Sequence, residues 1–99
     1  MAVEKYAALS LVKSRLNRMA SDTSMDEYLW QRIEAAKAEL EGTGISLTDS
    51  ADDLMLLTDY TVWQYQNRDN PGGMPDWLRL RRRERWLRQH ATEGTENDS

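Results

Sequence analysis

The sequence predicts an all-α fold: a small bundle of about four helices with a central apolar third helix, an Arg/Trp-rich C-terminal helix and a disordered acidic tail. Three observations predict it. Apolar residues recur at spacings of three and four along the first half of the chain. No segment alternates apolar and polar residues for long enough to build a sheet, and residues suited to starting or stopping helices separate the apolar stretches. With 99 residues, 39% hydrophobic and 30% charged, the chain is expected to form one helical domain over 1–90, followed by a disordered tail over 91–99.

In the first helix, over about Val3–Met19, Leu9, Val12, Leu16 and Met19 fall on one stripe, and the polar stretch Ala20–Ser24 ends it. Ser24 followed three residues later by Glu27 is a capping-box pattern for the second helix. That helix, roughly Met25–Glu41, has Leu29, Ile33, Ala36 and Leu40 as its apolar stripe, and Gly42 is placed as its left-handed terminator. In the loop Gly42–Asp49, Ile45 and Leu47 alternate with polar residues, which fits a short extended piece.

Thr48, Asp49 and Ser50 are competent N-caps for the third helix, about Ser50–Asn67, and Asp52 and Asp53 suit its positive end. Leu54, Met55, Leu56, Leu57, Tyr60, Val62, Trp63 and Tyr65 point in nearly every direction, so this helix is expected to be central or covered by a neighbouring subunit. Asp59, on this otherwise apolar helix, is expected to pair with an arginine, because an unpaired buried carboxylate is costly. Arg68–Pro75 holds two prolines and a glycine pair and reads as a loop. Pro75 then fits the first turn of a fourth helix running to about His90, with Asp76 favourable in that turn.

Composition narrows the function classes. The absence of cysteine excludes a disulfide scaffold, thiolate metal sites and cysteine nucleophiles, and the lone histidine, His90, excludes a multi-histidine metal centre. No cofactor is expected. Leu54–Leu57, the longest apolar run, is far short of the ~20 residues that span a bilayer, and the N-terminus lacks a signal-peptide pattern. The expectation is a soluble, intracellular, non-redox protein with no membrane partner. Ser10 and Ser14 have no histidine in evident reach, and Pro71-Gly72-Gly73 lacks the lysine of a phosphate loop, so no enzymatic activity is expected.

The net charge of −4 is unevenly spread: +3 over 1–19, −9 over 20–76, +5 over 77–90 and −3 over 91–99. An acidic body with a basic segment near the C-terminus invites head-to-tail contact between copies; the alternative is that the arginines pair with acids of the same molecule. In the fourth helix Trp77, Leu80 and Leu87 share one face with Glu84 among them, Leu78 and Trp86 point elsewhere, and arginines lie between them on nearly all sides. Guanidinium groups suit carboxylate or phosphate at interfaces, and tryptophan is enriched at interface centres. The candidate partner-binding residues are therefore Trp77, Arg79, Arg81, Arg82, Arg83, Arg85, Trp86 and Arg88, with Met74 and Pro75 orienting the helix and the loop Asn70–Gly73 as a second candidate. Alternatively, Trp77, Leu80 and Leu87 are core and the arginines form a solvated face. A helix-turn-helix is not expected, because the inter-helix connections are too long for its tight turn.

The segment Leu29-Trp30-Gln31-Arg32-Ile33-Glu34-Ala35-Ala36-Lys37-Ala38-Glu39-Leu40, led by Asp26, resembles the acid-led second helix of the head–tail connector proteins of tailed bacteriophages. The stretch from Asp53 to Asp69 is similar to the next helix of that family, and Met74-Pro75 followed by Trp77-Leu78-Arg79 is similar to a gram-positive phage and prophage branch. The resemblance covers roughly residues 5–90, and in it Glu41-Gly42-Thr43-Gly44-Ile45 replaces the family's usual Tyr-Thr-Gly-Arg-like segment. It implies a structural protein of the virion head–tail junction, assembled in the bacterial host cytoplasm. Such a protein forms or joins a ring, commonly of about twelve copies, beneath the portal protein. It completes the head, extends the channel through which double-stranded DNA passes without sequence-specific binding, and offers a platform to a downstream stopper or tail-completion protein. The alternative reading is a small helical DNA-binding regulator or accessory protein that sets the arginine helix on phosphate. A third is an interaction module for an acidic host protein.

Overall fold

Among the described residues, a computed structural model of the chain has four helices: α1 (Lys5–Arg15), α2 (Asp26–Gly42), α3 (Ala51–Gln66) and α4 (Asp76–Asp98). The structure describes residues 5–19, 21–69 and 73–98, with side chains between 6 and 91; the expected start of the first helix at Val3 and most of the Asn70–Gly73 loop lie outside the described residues. Among the described residues there is no strand, and the fold is the small all-α bundle that the apolar spacing predicts.

α1 ends at Arg15, short of Met19, because Asn17 adopts the left-handed conformation at φ 60°. The Arg18 N–H donates to the Lys13 carbonyl at 2.8 Å and the Asn17 N–H to the Ser14 carbonyl at 3.1 Å, a Schellman ending with asparagine in the glycine position. Met19 therefore lies beyond the helix and is 73% exposed instead of joining the stripe. Ala8, Leu9 and Val12 are buried, and Leu16 packs half-buried against the core.

The expected Ser24–Glu27 capping box does not form. The Ser24 hydroxyl donates to Asp22 Oδ1 at 2.7 Å and the Ser24 N–H donates to the same oxygen, so a charged acceptor claims the residue before α2 begins. Asp26 instead ties the two helices together, its Oδ1 lying 2.8 Å from Nζ of the buried Lys13. Leu29, Ile33, Ala36 and Leu40 are all buried, as their spacing predicts. The terminator is Gly44 (φ 100°) rather than Gly42, which is the last helical residue. The N–H groups of Gly44 and Ile45 donate to the carbonyls of Glu41 and Leu40, and the apolar pair that accompanies such an ending, Leu40 and Ile45, is buried.

Ile45 and Leu47 enter the core from the loop after α2, which forms no strand. Ser50 caps α3, its hydroxyl accepting from the Asp53 N–H at 3.2 Å. Asp53 Oδ2 in turn accepts from the N–H and hydroxyl of Thr48 at 2.7 and 2.8 Å. α3 packs against α1, α2 and α4 and is buried without interruption from Leu56 to Val62. The hydroxyls of Thr58 and Thr61 donate to the carbonyls of Leu54 and Leu57, which removes the penalty for burying them. Met55 is the exposed exception to the all-round apolar pattern.

Pro75 lies just before α4, outside the first turn in which it was expected, and its carbonyl accepts from the Leu78 and Arg79 N–H groups. Its backbone stays helical past the expected end at His90 and reaches Asp98, through most of the segment expected to be a disordered tail. Once a helix is nucleated, each further turn adds hydrogen bonds at little cost, and no proline interrupts this one.

Candidate functional site

Apart from Leu78, which is 1% exposed, α4 contributes no fully buried apolar side chain among the described residues. What holds the helix is polar. Arg81 bonds Asp59, which also receives Arg15 from α1, so one buried carboxylate joins three helices and meets the expectation that Asp59 is paired. One turn on, Arg85 Nε donates to Asp53 Oδ1 at 2.7 Å and Nη2 to Oδ2 at 3.1 Å. The pairs Arg81–Asp59 and Arg85–Asp53 advance along α4 and recede along α3, so the two helices run antiparallel.

The same turn of α4 clasps the loop after α2. Arg85 Nη2 donates to the Ser46 carbonyl at 2.7 Å, Gln89 Nε2 to the Gly44 carbonyl at 2.9 Å, and Gln89 Oε1 accepts from the Ser46 N–H at 2.8 Å. The rings of Trp86 and His90 lie 4.1 Å apart, over Gly44. The Asp53 side chain is only 2% exposed. Burial pushes its carboxyl up, but the bonds from Arg85 and Thr48 outweigh that and hold it below the usual carboxylate range.

The candidate residues thus divide. Arg81 and Arg85 are committed inside the molecule, and Arg79 pairs with Asp76 of its own first turn. Arg82 stands beside the Tyr60 hydroxyl, which donates to Glu39; burial and Glu39 push the Tyr60 phenol up to about 12. Met74 packs half-buried against the core, Pro75 is half-buried at the helix start, and Trp86 closes over Gly44. Arg83 and Arg88 are exposed and make no ion pair among the described residues.

Trp77, Leu80 and Leu87 are 49%, 54% and 47% exposed, so the expected alternative in which they are core does not hold. At about 100° per residue, Leu87 lies about 180° from Leu78, and Leu80 is close beside it on the outer side. Leu80 and Leu87 were outside the candidate set, although their shared face was legible from their spacing. What the spacing alone leaves open is that this face turns outward. The arrangement presents large apolar side chains, with Arg83, Glu84 and Arg88 exposed beside them, on the outer side of a helix fixed by ion pairs.

Among the described residues, no group of three or more acidic or histidine side chains is placed to hold a metal ion, and no helix is long and apolar enough to cross a membrane. Compared with protein-family models, curated proteins and solved structures, the chain matches none.

Proposed function

We propose that this chain is a structural assembly protein with no chemistry of its own, which docks its fourth helix on another protein chain in the manner of a phage head–tail connector. The observation that carries the reading is the outward stripe Trp77, Leu80 and Leu87 on a helix pinned by Arg81 and Arg85. Large apolar side chains in a contiguous exposed patch mark interaction sites, and an Arg/Trp rim suits an interface. With Arg81 and Arg85 bonded to α3 and Arg79 to Asp76, three of the six arginines are engaged within the molecule, and phosphate binding is the weaker use of this helix. On this reading the chain joins a ring under the portal protein, extends the DNA channel past an acidic body that duplex DNA slides along, and receives a stopper or tail-completion protein.

Leu80→Ser with Leu87→Ser tests it, because both side chains face solvent and their loss leaves the bundle intact. Far-ultraviolet helicity and Tm are expected to stay at wild-type values while capture by the portal protein encoded in the same phage or prophage genome is lost. Wild-type capture by the double variant refutes the reading. Retardation of duplex DNA by the wild-type protein near physiological salt, without portal capture, replaces it with the DNA-binding alternative.

A further inference from the structure

We propose that the groove between α2 and α4 is a docking site for an extended acidic segment of a partner protein. Both helices pack on α3 and not on each other, which leaves a channel between them. Two cavities of about 460 and 330 Å³ lie along it and share Arg82 as a wall. The first is bounded by Arg32 of α2 and by Met74, with Tyr60 and Trp63 of α3 beneath. Thr43, Arg83 and Trp86 bound the second. From Arg32 to Thr43 the channel follows α2 for about 16 Å, room for about five extended residues. On α4 its wall is the stripe Arg79, Arg82, Arg83 and Trp86, spaced three, one and three apart. That stripe is centred about 90° from Leu78 on the buried side and about 90° from Leu87 on the outer side. The channel is therefore a different surface from the outward face that the assembly reading uses.

Charge selects the occupant. The lining carries four arginines and one carboxylate, on a chain whose net charge is −4. That carboxylate is already occupied: Glu39 Oε1 accepts from the Tyr60 hydroxyl at 2.8 Å and Oε2 from Gln64 Nε2 at 2.6 Å. Arg82 and Arg83 make no ion pair among the described residues. Arg79 has the solvent-exposed Asp76, a kind of pair that is worth little and exchanges readily. Complementarity therefore calls for an anion, and arginine clusters suit acidic peptide motifs. Arg79 and Arg83 are four residues apart, about 6 Å along the helix axis. Alternate residues of an extended chain are about 6.6 Å apart, so two alternate carboxylates meet the two guanidinium groups in step. The residue between them points the other way, toward the half-buried Trp63 and Met74. Trp63 already stacks on Tyr60, and Trp86 lies against His90, so one face of each ring is covered within the molecule. That arrangement favours packing of apolar side chains over a platform for nucleic-acid bases.

Amide and indole N–H correlation spectra of the isotope-labelled full chain test the site, with the peptide acetyl-Asp-Leu-Glu-Leu-Asp-amide as the probe. The indole signals of Trp63 and Trp86 are expected to move and saturate with a Kd of about 100 µM, while those of Trp30 and Trp77, outside the channel, stay in place. Arg79→Glu/Arg83→Glu is expected to keep wild-type helicity and Tm and to bind the peptide at least about tenfold more weakly. Leu80→Ser/Leu87→Ser is expected to bind it as wild type does, which separates this site from the portal test. No saturable shift up to about 5 mM peptide overturns the assignment. So does movement centred on Trp77, wild-type binding by the arginine variant, loss of binding in the leucine variant, or equal binding of acetyl-Asn-Leu-Gln-Leu-Asn-amide. A short oligothymidylate that moves the same indole signals at lower concentration than the peptide replaces the acidic segment with single-stranded nucleic acid and equally overturns it.

Discussion

Arg85→Met removes the guanidinium that ties α4 to the body while keeping an apolar stem of similar length. Four hydrogen bonds go with it, to Asp53 Oδ1 and Oδ2, the Ser46 carbonyl and Gln89 Oε1, at 2.7, 3.1, 2.7 and 3.1 Å. The Asp53 carboxylate is left buried with only its two bonds from Thr48. Breaking a buried ion pair by removing one partner costs about 3–5 kcal/mol, and the Thr48 bonds place this case near 3. Against about 5–15 kcal/mol for a domain of this size, that is a large fraction of the whole. Urea unfolding followed at 222 nm and by tryptophan fluorescence measures it: with a slope of about 1–3 kcal/mol per M, the midpoint falls by about 1–3 M. Arg83→Met, exposed and in no ion pair among the described residues, is the control and stays within about 0.5 kcal/mol of wild type. Adding Asp53→Asn to Arg85→Met should cost clearly less than the two single losses together, with a coupling of about 1–3 kcal/mol. An Arg85→Met protein within about 0.5 kcal/mol of wild type, or additive losses in the cycle, refutes the ionic attachment of α4.

Asp59→Asn leaves Arg15 and Arg81 facing a neutral amide at the junction of three helices; a loss of about 2 kcal/mol corresponds to a Tm lower by about 8–16 °C in a scan by circular dichroism. Gly44→Ala forces a Cβ into a backbone at φ 100° and to 3.1 Å from Trp86 Nε1, at a cost of about 1–3 kcal/mol. Gly42→Ala, helical and with open space around it, stabilises by about 0.5–1 kcal/mol, so the two variants shift the urea midpoint in opposite directions. Asp53 titrates below its unfolded value of 3.8, so its contribution is fully present above that pH and is lost as pH falls through the lower folded value. Stability measured from pH 5 downward should therefore fall less steeply in Asp53→Asn than in wild type.

How much of this was legible in the sequence depended on how local the deciding interaction was. The α2 stripe of Leu29, Ile33, Ala36 and Leu40 and the central position of α3 follow from spacing and nearest neighbours, and the structure agrees with them; of the three competent caps Thr48, Asp49 and Ser50, it uses Ser50. Helix ends were less legible. Asn17 and Gly44 stop their helices at positions set by which apolar or backbone partner closes the Schellman bonds, and Asp22 takes the hydroxyl that the Ser24–Glu27 pattern reserves for a cap. The candidate site was legible as a helix but not as a face. Arg81 and Arg85 are separated from Asp59 and Asp53 by a loop and most of a helix, and that non-local pairing decides which arginines remain outside.

The two acids on α3 also encode an azimuth. Rotated by one residue about its own axis, about 100°, α4 would bring position 80 to Asp59 and position 84 to Asp53 in place of Arg81 and Arg85. Leucine would then face one buried carboxylate and Glu84 the other. Rotated the opposite way, Arg82 would reach Asp59 but Trp86 would be driven against Asp53, leaving a buried anion uncompensated. An apolar seam tolerates such a turn, because one methyl group serves much like another; two carboxylates at fixed points do not. The charge pattern of α4 thus works as a key with one orientation, and the direction in which Leu80 and Leu87 project is decided from the buried side of the helix.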